Sequence, residues 1–178
     1  HVLNQNEQLK VYGKIDGWYI VQDMQKGHVG CVSGYYITLS NASNNNQNNG
    51  SSSSADEEKL LNMINELRAQ NGLKPLTINQ ELSRVALHKA MDMVENNYFS
   101  HQSPTYGSPF EMMKKYGIVF TAAAENIAGN QTVEGAVYSW KNSEGHLANI
   151  LNSAYSETGI GIYTSPIYGK IFVQMFKN

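Results

Sequence analysis

Hydrophobic positions fall along this chain in three rhythms. Through residues 9–39, short aromatic and β-branched runs are punctuated by glycine turns. Leu9-Lys10-Val11-Tyr12 is followed by a turn over residues 14–17, then Trp18-Tyr19-Ile20-Val21, a Gln25-Lys26-Gly27 turn, and runs over 28–32 and 34–39. That spacing predicts short strands of a small β-barrel. Residues 41–54, NASNNNQNNGSSSS, offer nothing to bury and read as a polar linker. The chain therefore divides into residues 1–40, a linker at 41–55, and a second domain over 56–178.

From Asp56 the rhythm turns helical. Leu60, Leu61, Ile64 and Leu67 share one helical face, acids sit at its start, and Gly72 is placed to end it before Pro75. A second helix is predicted over 79–97, burying Leu82, Val85, Ala86, Ala90, Met93 and Val94. His88 lies inside it, where a packed or surface histidine is the expectation rather than a ligand, and Met91 and Met93 read as core. Ser108-Pro109-Phe110-Glu111 forms a capping box that launches a third helix to Tyr116, with Gly117 as its stop. A fourth helix runs from its N-cap Thr132 to Trp140, and a short one covers 146–151. Residues 158–163 and 170–176 read as strands joined by a turn at Ser165-Pro166, a terminal hairpin. Helices followed by a late antiparallel pair indicate an α+β fold.

The stretch over residues 97–110, NYFSHQSPTYGSPF, holds His101 in a short loop clamped by helix signals on both sides. Loops on rigid scaffolds are where chemistry concentrates. A second histidine, His146, lies in SEGHLANIL, and a glutamate, Glu125, lies among small and apolar residues in AENIA. A buried carboxylate needs partners, because desolvating an unpaired charge is costly.

Bulk numbers narrow the function classes. Of 178 residues, 41% are hydrophobic and 16% charged, with a net charge of −2. There is no electrostatic case for nucleic acid or an anionic membrane. No apolar run approaches the length of a transmembrane segment, and the opening HVLNQNEQLK carries no signal-peptide pattern. The single cysteine, Cys31, excludes an internal disulfide and a cysteine-built zinc site. There is no HExxH string, and no Ser-His-Asp or Cys-His arrangement is assignable, although Ser100 and Ser103 flank His101.

Four strings carry a family resemblance: Ser100-His101-Gln102-Ser103-Pro104, Ala124-Glu125-Asn126-Ile127, Trp140 through Leu151, and Phe172-Val173-Gln174-Met175-Phe176. Together they resemble the bacterial branch of the CAP superfamily, which takes in cysteine-rich secretory, antigen 5 and pathogenesis-related proteins. Separately, GWYIV and GHVGCVSGYYI resemble the second half of a bacterial SH3 domain. There Cys31 replaces an aromatic, and the family's first strand would precede His1.

The CAP resemblance implies an α-β-α sandwich with a central cleft lined by two histidines, His101 and His146, and an acid, Glu125. Family members often add a second glutamate after the tryptophan. Glu144 either fills that place or faces solvent, the second being the reading adopted. Lys141 and Leu147 replace the methionine and arginine common in bacterial relatives, which alters the rim. Two neutral imidazoles suit a divalent metal, zinc first and calcium or magnesium second. With only His101 and His146 as metal ligands, it would be weakly held.

The expected protein is thus secreted or cell-envelope associated. Its CAP cleft would hold a metal ion, peptide or small ligand without catalysis, while its SH3-type segment attaches to cell-wall peptide or peptidoglycan. One alternative is a metal-dependent hydrolase of peptide or wall substrates with Glu125 as catalytic base. Another is lipid or sterol binding. The three cleft side chains are expected to converge in one solvent-reachable pocket. Residues 1–40, lacking an opening strand, are expected to dock, exchange strands or dimerise.

Overall fold

The computed structural model describes residues 8–15, 18–26, 29–33 and 51–178. The chain forms two compact units, residues 1–46 and 47–178. In the first, β1 (Leu9–Ile15), β2 (Trp18–Asp23) and β3 (Val29–Ser33) form an antiparallel sheet in the order β1-β2-β3. The expected run over 34–39 and residues 41–50 of the expected linker lie outside the described residues.

In the second unit, α1 (Ser51–Gln70) begins inside the serine run, so the four serines at 51–54, expected as linker, are helical. Once a helix is nucleated by its buried face, adding a turn of helix-tolerant residues costs little. Gly72, at φ 70°, takes the left-handed conformation that ends it. Next come β4 (Thr77–Ile78) and α2 (Gln80–Glu95), with Asn79 capping α2 by accepting from Leu82 N at 2.9 Å. Then follow α3 (Pro109–Lys115), β5 (Ala123–Asn130), α4 (Val133–Lys141), α5 (Glu144–Ile150), β6 (Glu157–Ser165) and β7 (Gly169–Lys177).

The four strands lie in the order β4-β6-β7-β5, antiparallel except for the two-residue β4, which runs parallel to β6. Alternate residues feed two cores. On one face, Ala124, Ala128, Ile160, Phe172 and Phe176 pack with Leu60 and Ile64 of α1, Trp140 of α4 and Ile150 of α5. On the other, Ile127, Ile171, Val173 and Met175 pack with Leu82, Val85, Ala86 and Met93 of α2 and Met112 and Met113 of α3. Helices therefore cover both faces of the sheet, as the α-β-α expectation required.

Two glycines of β6 set how closely α2 approaches. A Cβ on Gly159 would lie 2.2 Å from the Leu82 carbonyl carbon, and one on Gly161 would lie 2.1 Å from Leu87 N. These are backbone atoms of a packed helix, so little can give way. Gly161→Ala should cost about 2–3 kcal/mol by forcing α2 off the sheet. Urea denaturation should show the midpoint falling with an unchanged m-value.

Among the described residues no helix is long and apolar enough to cross a membrane.

Candidate functional site

The His101 loop is built from the end of α2 outward. Asn97 adopts the left-handed conformation at φ 50°, and Tyr98 N–H donates back to Met93 O at 3.0 Å, which stops the helix. Ser103 and Gly107 then exchange backbone hydrogen bonds of 2.7 and 3.0 Å. Inside that turn, Ser103 Oγ accepts from Thr105 N at 3.0 Å and Tyr106 N at 2.9 Å. The capping box opens α3 as expected: Ser108 N donates to Glu111 Oε2 at 2.7 Å and Glu111 N to Ser108 Oγ at 3.2 Å.

Beneath the loop lies a buried carboxylate that the sequence did not single out. Asp92 of α2 accepts from Ser103 Oγ at 2.6 Å, Thr105 Oγ1 at 2.7 Å, Asn96 Nδ2 at 2.8 Å, and the Tyr98 hydroxyl. Burial alone would raise its pKa, but the four side-chain hydrogen bonds outweigh it and hold the group below its ordinary value. Lys89, one helical turn earlier and fully buried, donates to His101 O at 2.9 Å and Tyr98 OH at 3.2 Å. Burial lowers its pKa, against the raising effect of the Glu125 and Asp92 charges.

The structure brings His101, Glu125 and His146 together. His101 Nδ1 lies 2.7 Å from Glu125 Oε1, and the His101 and His146 ring centroids are 6.4 Å apart. The His101 side chain is 51% exposed, whereas that of Glu125 is 1% exposed. Burial raises the Glu125 pKa, opposed by its bond to His101 and by the charges of Lys89 and His101. Its second oxygen, Oε2, has no hydrogen-bond partner among the described residues.

His146 arrives from the opposite layer, on α5. Asn126 Nδ2 donates to His146 O at 3.1 Å, and Asn149 Nδ2 donates to Asn126 Oδ1 at 2.9 Å. This pair of amides fastens α5 to β5 beside Glu125. Burial, then the charge of His101, lowers the His146 pKa, which keeps its ring neutral to lower pH than a free imidazole. Glu144 is exposed at the first position of α5, in keeping with the solvent-facing reading.

Two concavities lie elsewhere. One of about 120 Å³ is lined by Phe99, Ile167 and Tyr168, and one of about 260 Å³ runs between α1 and α4 beside Met63, Leu67 and Tyr138. The His101 side chain is half-exposed and His146 is partly buried, so the trough between the two rings is reachable from solvent.

Its donors fit a metal in kind. With Nδ1 of His101 on a carboxylate, Nε2 would be its metal-binding nitrogen, the usual arrangement around a metal-bound imidazole. Tetrahedral zinc with Zn–N bonds of about 2.0–2.1 Å places two ring centroids roughly 5.2 Å apart, so the observed 6.4 Å needs a small rotamer adjustment. Among the described residues no cluster of three or more His, Cys, Asp or Glu forms a metal-holding group. Such a site would rest on two ligands with Glu125 behind one of them.

His88 is a third histidine of the unit, buried rather than exposed. Its Nδ1 lies 2.7 Å from the Tyr116 hydroxyl, and burial followed by the Arg84 charge lowers its pKa to about 4. The unfolded chain therefore takes up a proton near pH 6.5 that the native state refuses until about pH 4. Between those values stability should drop as pH falls, by about 3 kcal/mol in all. His88→Leu should flatten that acid limb in denaturation measured from pH 7 to pH 4.

These features place the chain among known proteins. The profile of the cysteine-rich secretory protein family (CAP) matches residues 61–176, and the chain belongs to that family. It is 49% identical over 120 residues to YkwD of Bacillus subtilis, covering 67% of this chain and 46% of that protein. It is 42% identical over 107 residues to the B. subtilis membrane protein YlbC, covering 59% of this chain and 31% of that one. The chain thus spans less than half the length of either relative.

Among solved structures, an extracellular SCP-domain protein of Bacillus anthracis aligns with TM-score 0.69 and 24% identity, over 98% of this chain and 60% of that one. An outer surface protein of Borrelia burgdorferi aligns with TM-score 0.65 and 27% identity, over 70% and 92% respectively.

Proposed function

We propose that this is an extracellular or envelope-associated binding module whose histidine trough takes a divalent metal ion, alone or together with a peptide ligand. The observation carrying the reading is the 6.4 Å pair of imidazoles, one of them backed by a buried carboxylate at 2.7 Å. Imidazole nitrogens favour zinc over calcium or magnesium, which take oxygen ligands. The extracellular and outer-surface settings of the two structural neighbours support secretion.

Binding is favoured over hydrolysis because Glu125 is buried with one oxygen committed to His101. With its side chain 1% exposed and Oε1 on His101, it is better placed to orient an imidazole than to activate water. The sheet of β1, β2 and β3 is proposed to serve as the SH3-type wall attachment.

Calorimetric titration of the full chain with zinc, calcium and magnesium tests the ion. Zinc alone should bind, with Kd in the micromolar range or weaker, about −8 kcal/mol at best, and binding should fade in acid as protons compete for the imidazole nitrogens. Equal binding of calcium would point away from the histidines. A second assay, for peptide release from cell wall and casein, should show no turnover with zinc present. Chelator-sensitive release would instead establish the hydrolase.

A further inference from the structure

Lys89 shares the buried face of α2 with Leu82, Val85, Ala86 and Met93, and it is itself fully buried. Taking an ammonium out of water is costly, and replacing buried ion pairs by well-packed apolar residues is often neutral or stabilising. Stability alone therefore does not explain a lysine here. Its partners do.

They belong to the histidine site and to the loop that carries it. Nζ donates to the carbonyl of His101 itself at 2.9 Å and to the Tyr98 hydroxyl at 3.2 Å. It also lies 4.9 Å from the centre of the Tyr98 ring. The Tyr98 hydroxyl in turn donates to Asp92, one turn further along α2. Burial weakens the ammonium's hold on its proton, while the charge of Glu125, then that of Asp92, strengthens it. Glu125 is the carboxylate that His101 Nδ1 meets at 2.7 Å. Its side chain is 1% exposed and its Oε2 has no hydrogen-bond partner among the described residues, so a neighbouring cation compensates the buried acid. Both halves of the His101–Glu125 contact thus refer to one ammonium. It holds the His101 backbone by a hydrogen bond and the Glu125 carboxylate by charge.

We propose that Lys89 is a positioning residue of the histidine site, resting on the reading of the trough as a metal site. By fixing the His101 main chain against the Glu125 carboxylate, it keeps Nδ1–H directed at Glu125. The ring is then held in the tautomer whose Nε2 is free to bind a metal. Lys89 acts only through His101 and Glu125. Its loss would leave both histidines and the acid in the chain but their geometry unset.

Lys89→Met keeps a long, flexible side chain and removes the ammonium. Long-range nitrogen–proton NMR of the metal-free full chain at about pH 8, above the range in which free imidazoles titrate, reads the His101 tautomer. The parent should show almost wholly the Nδ1–H form, and Lys89→Met a mixture with the Nε2–H form. Calorimetry should show zinc affinity falling at least about tenfold in the variant. Leu60→Ala opens a cavity in the core on the other face of the sheet, and should lower stability while moving neither readout. Tyr98→Phe removes one of the two groups that seat the ammonium. It should shift the tautomer the same way by a smaller amount, and it decides the question if Lys89→Met does not fold. A parent in the Nε2–H form, a folded Lys89→Met with the parental tautomer, or the same tautomer change in Leu60→Ala would each overturn the proposal. A parent that takes no zinc would lose the metal reading, and the tautomer comparison would still judge Lys89.

Discussion

Replacing Arg68 by leucine should lower the stability of the second unit by about 4 kcal/mol or more, a large share of what a domain of this kind has. Arg68 is 1% exposed on α1. Its Nε donates to Lys74 O at 2.8 Å, Nη1 to Ile150 O at 2.7 Å and Asn152 O at 3.0 Å, and Nη2 to Tyr155 O at 3.2 Å. One guanidinium thus ties α1 to the end of α5 and the turn leading to β6. Leucine fills part of the volume but strands those buried carbonyls, each costing about 1–3 kcal/mol. Lysine keeps the charge yet lacks the planar fork that reaches carbonyls on both sides, so it should recover only part of the loss. Urea denaturation of the three proteins gives the comparison. A leucine variant within about 1 kcal/mol of the parent would contradict this account.

The second large effect is expected at Asp92. Asp92→Ala removes the acceptor shared by Ser103, Thr105, Asn96 and Tyr98 and leaves the buried Lys89 charge facing one acid fewer. A cost of about 3 kcal/mol is expected, concentrated in residues 96–107. Hydrogen exchange should show these residues opening while the cores around Trp140 and Phe172 stay protected. The same carboxylate makes an acid limb. Its folded pKa is depressed, so its stabilisation is present above the unfolded value near 3.8 and is lost as pH falls through the folded one. Uniform opening of the whole unit in Asp92→Ala would mean the loop is not a separate element.

Those two residues mark where sequence reading stopped. Helices with an apolar stripe and a cap were legible: α2 with Asn79, α3 with its capping box, and α4 with Thr132. The terminal hairpin was legible from two strand-like runs either side of Ser165-Pro166. β5 was not, because Ala123 to Asn130 is small and polar, packed on both faces, and shows no alternation. Arg68, Lys89 and Asp92 look like surface charges on amphipathic helices. Their burial depends on carbonyls and hydroxyls supplied by loops distant in sequence, which no local pattern encodes. His101, Glu125 and His146 were found through the resemblance of their strings, since nothing in their spacing of 24 and 21 residues would bring them together. The Asn126–Asn149 fastening was missed although Asn126 stands beside Glu125 in the string that was quoted. An asparagine in a buried, apolar context is a signal for such a role.

Anomalous scattering from a zinc-soaked crystal of the full chain measures the central claim most directly. The account predicts one zinc peak between His101 Nε2 and a ring nitrogen of His146, at about 2.0–2.1 Å from each. Glu125 should remain on His101 Nδ1, outside the coordination sphere, with the other positions taken by water or ligand. The peak should vanish in His146→Ala while that variant's metal-free melting temperature stays near the parent's. No peak at the trough under saturating zinc, or a peak that survives His146→Ala, would contradict it.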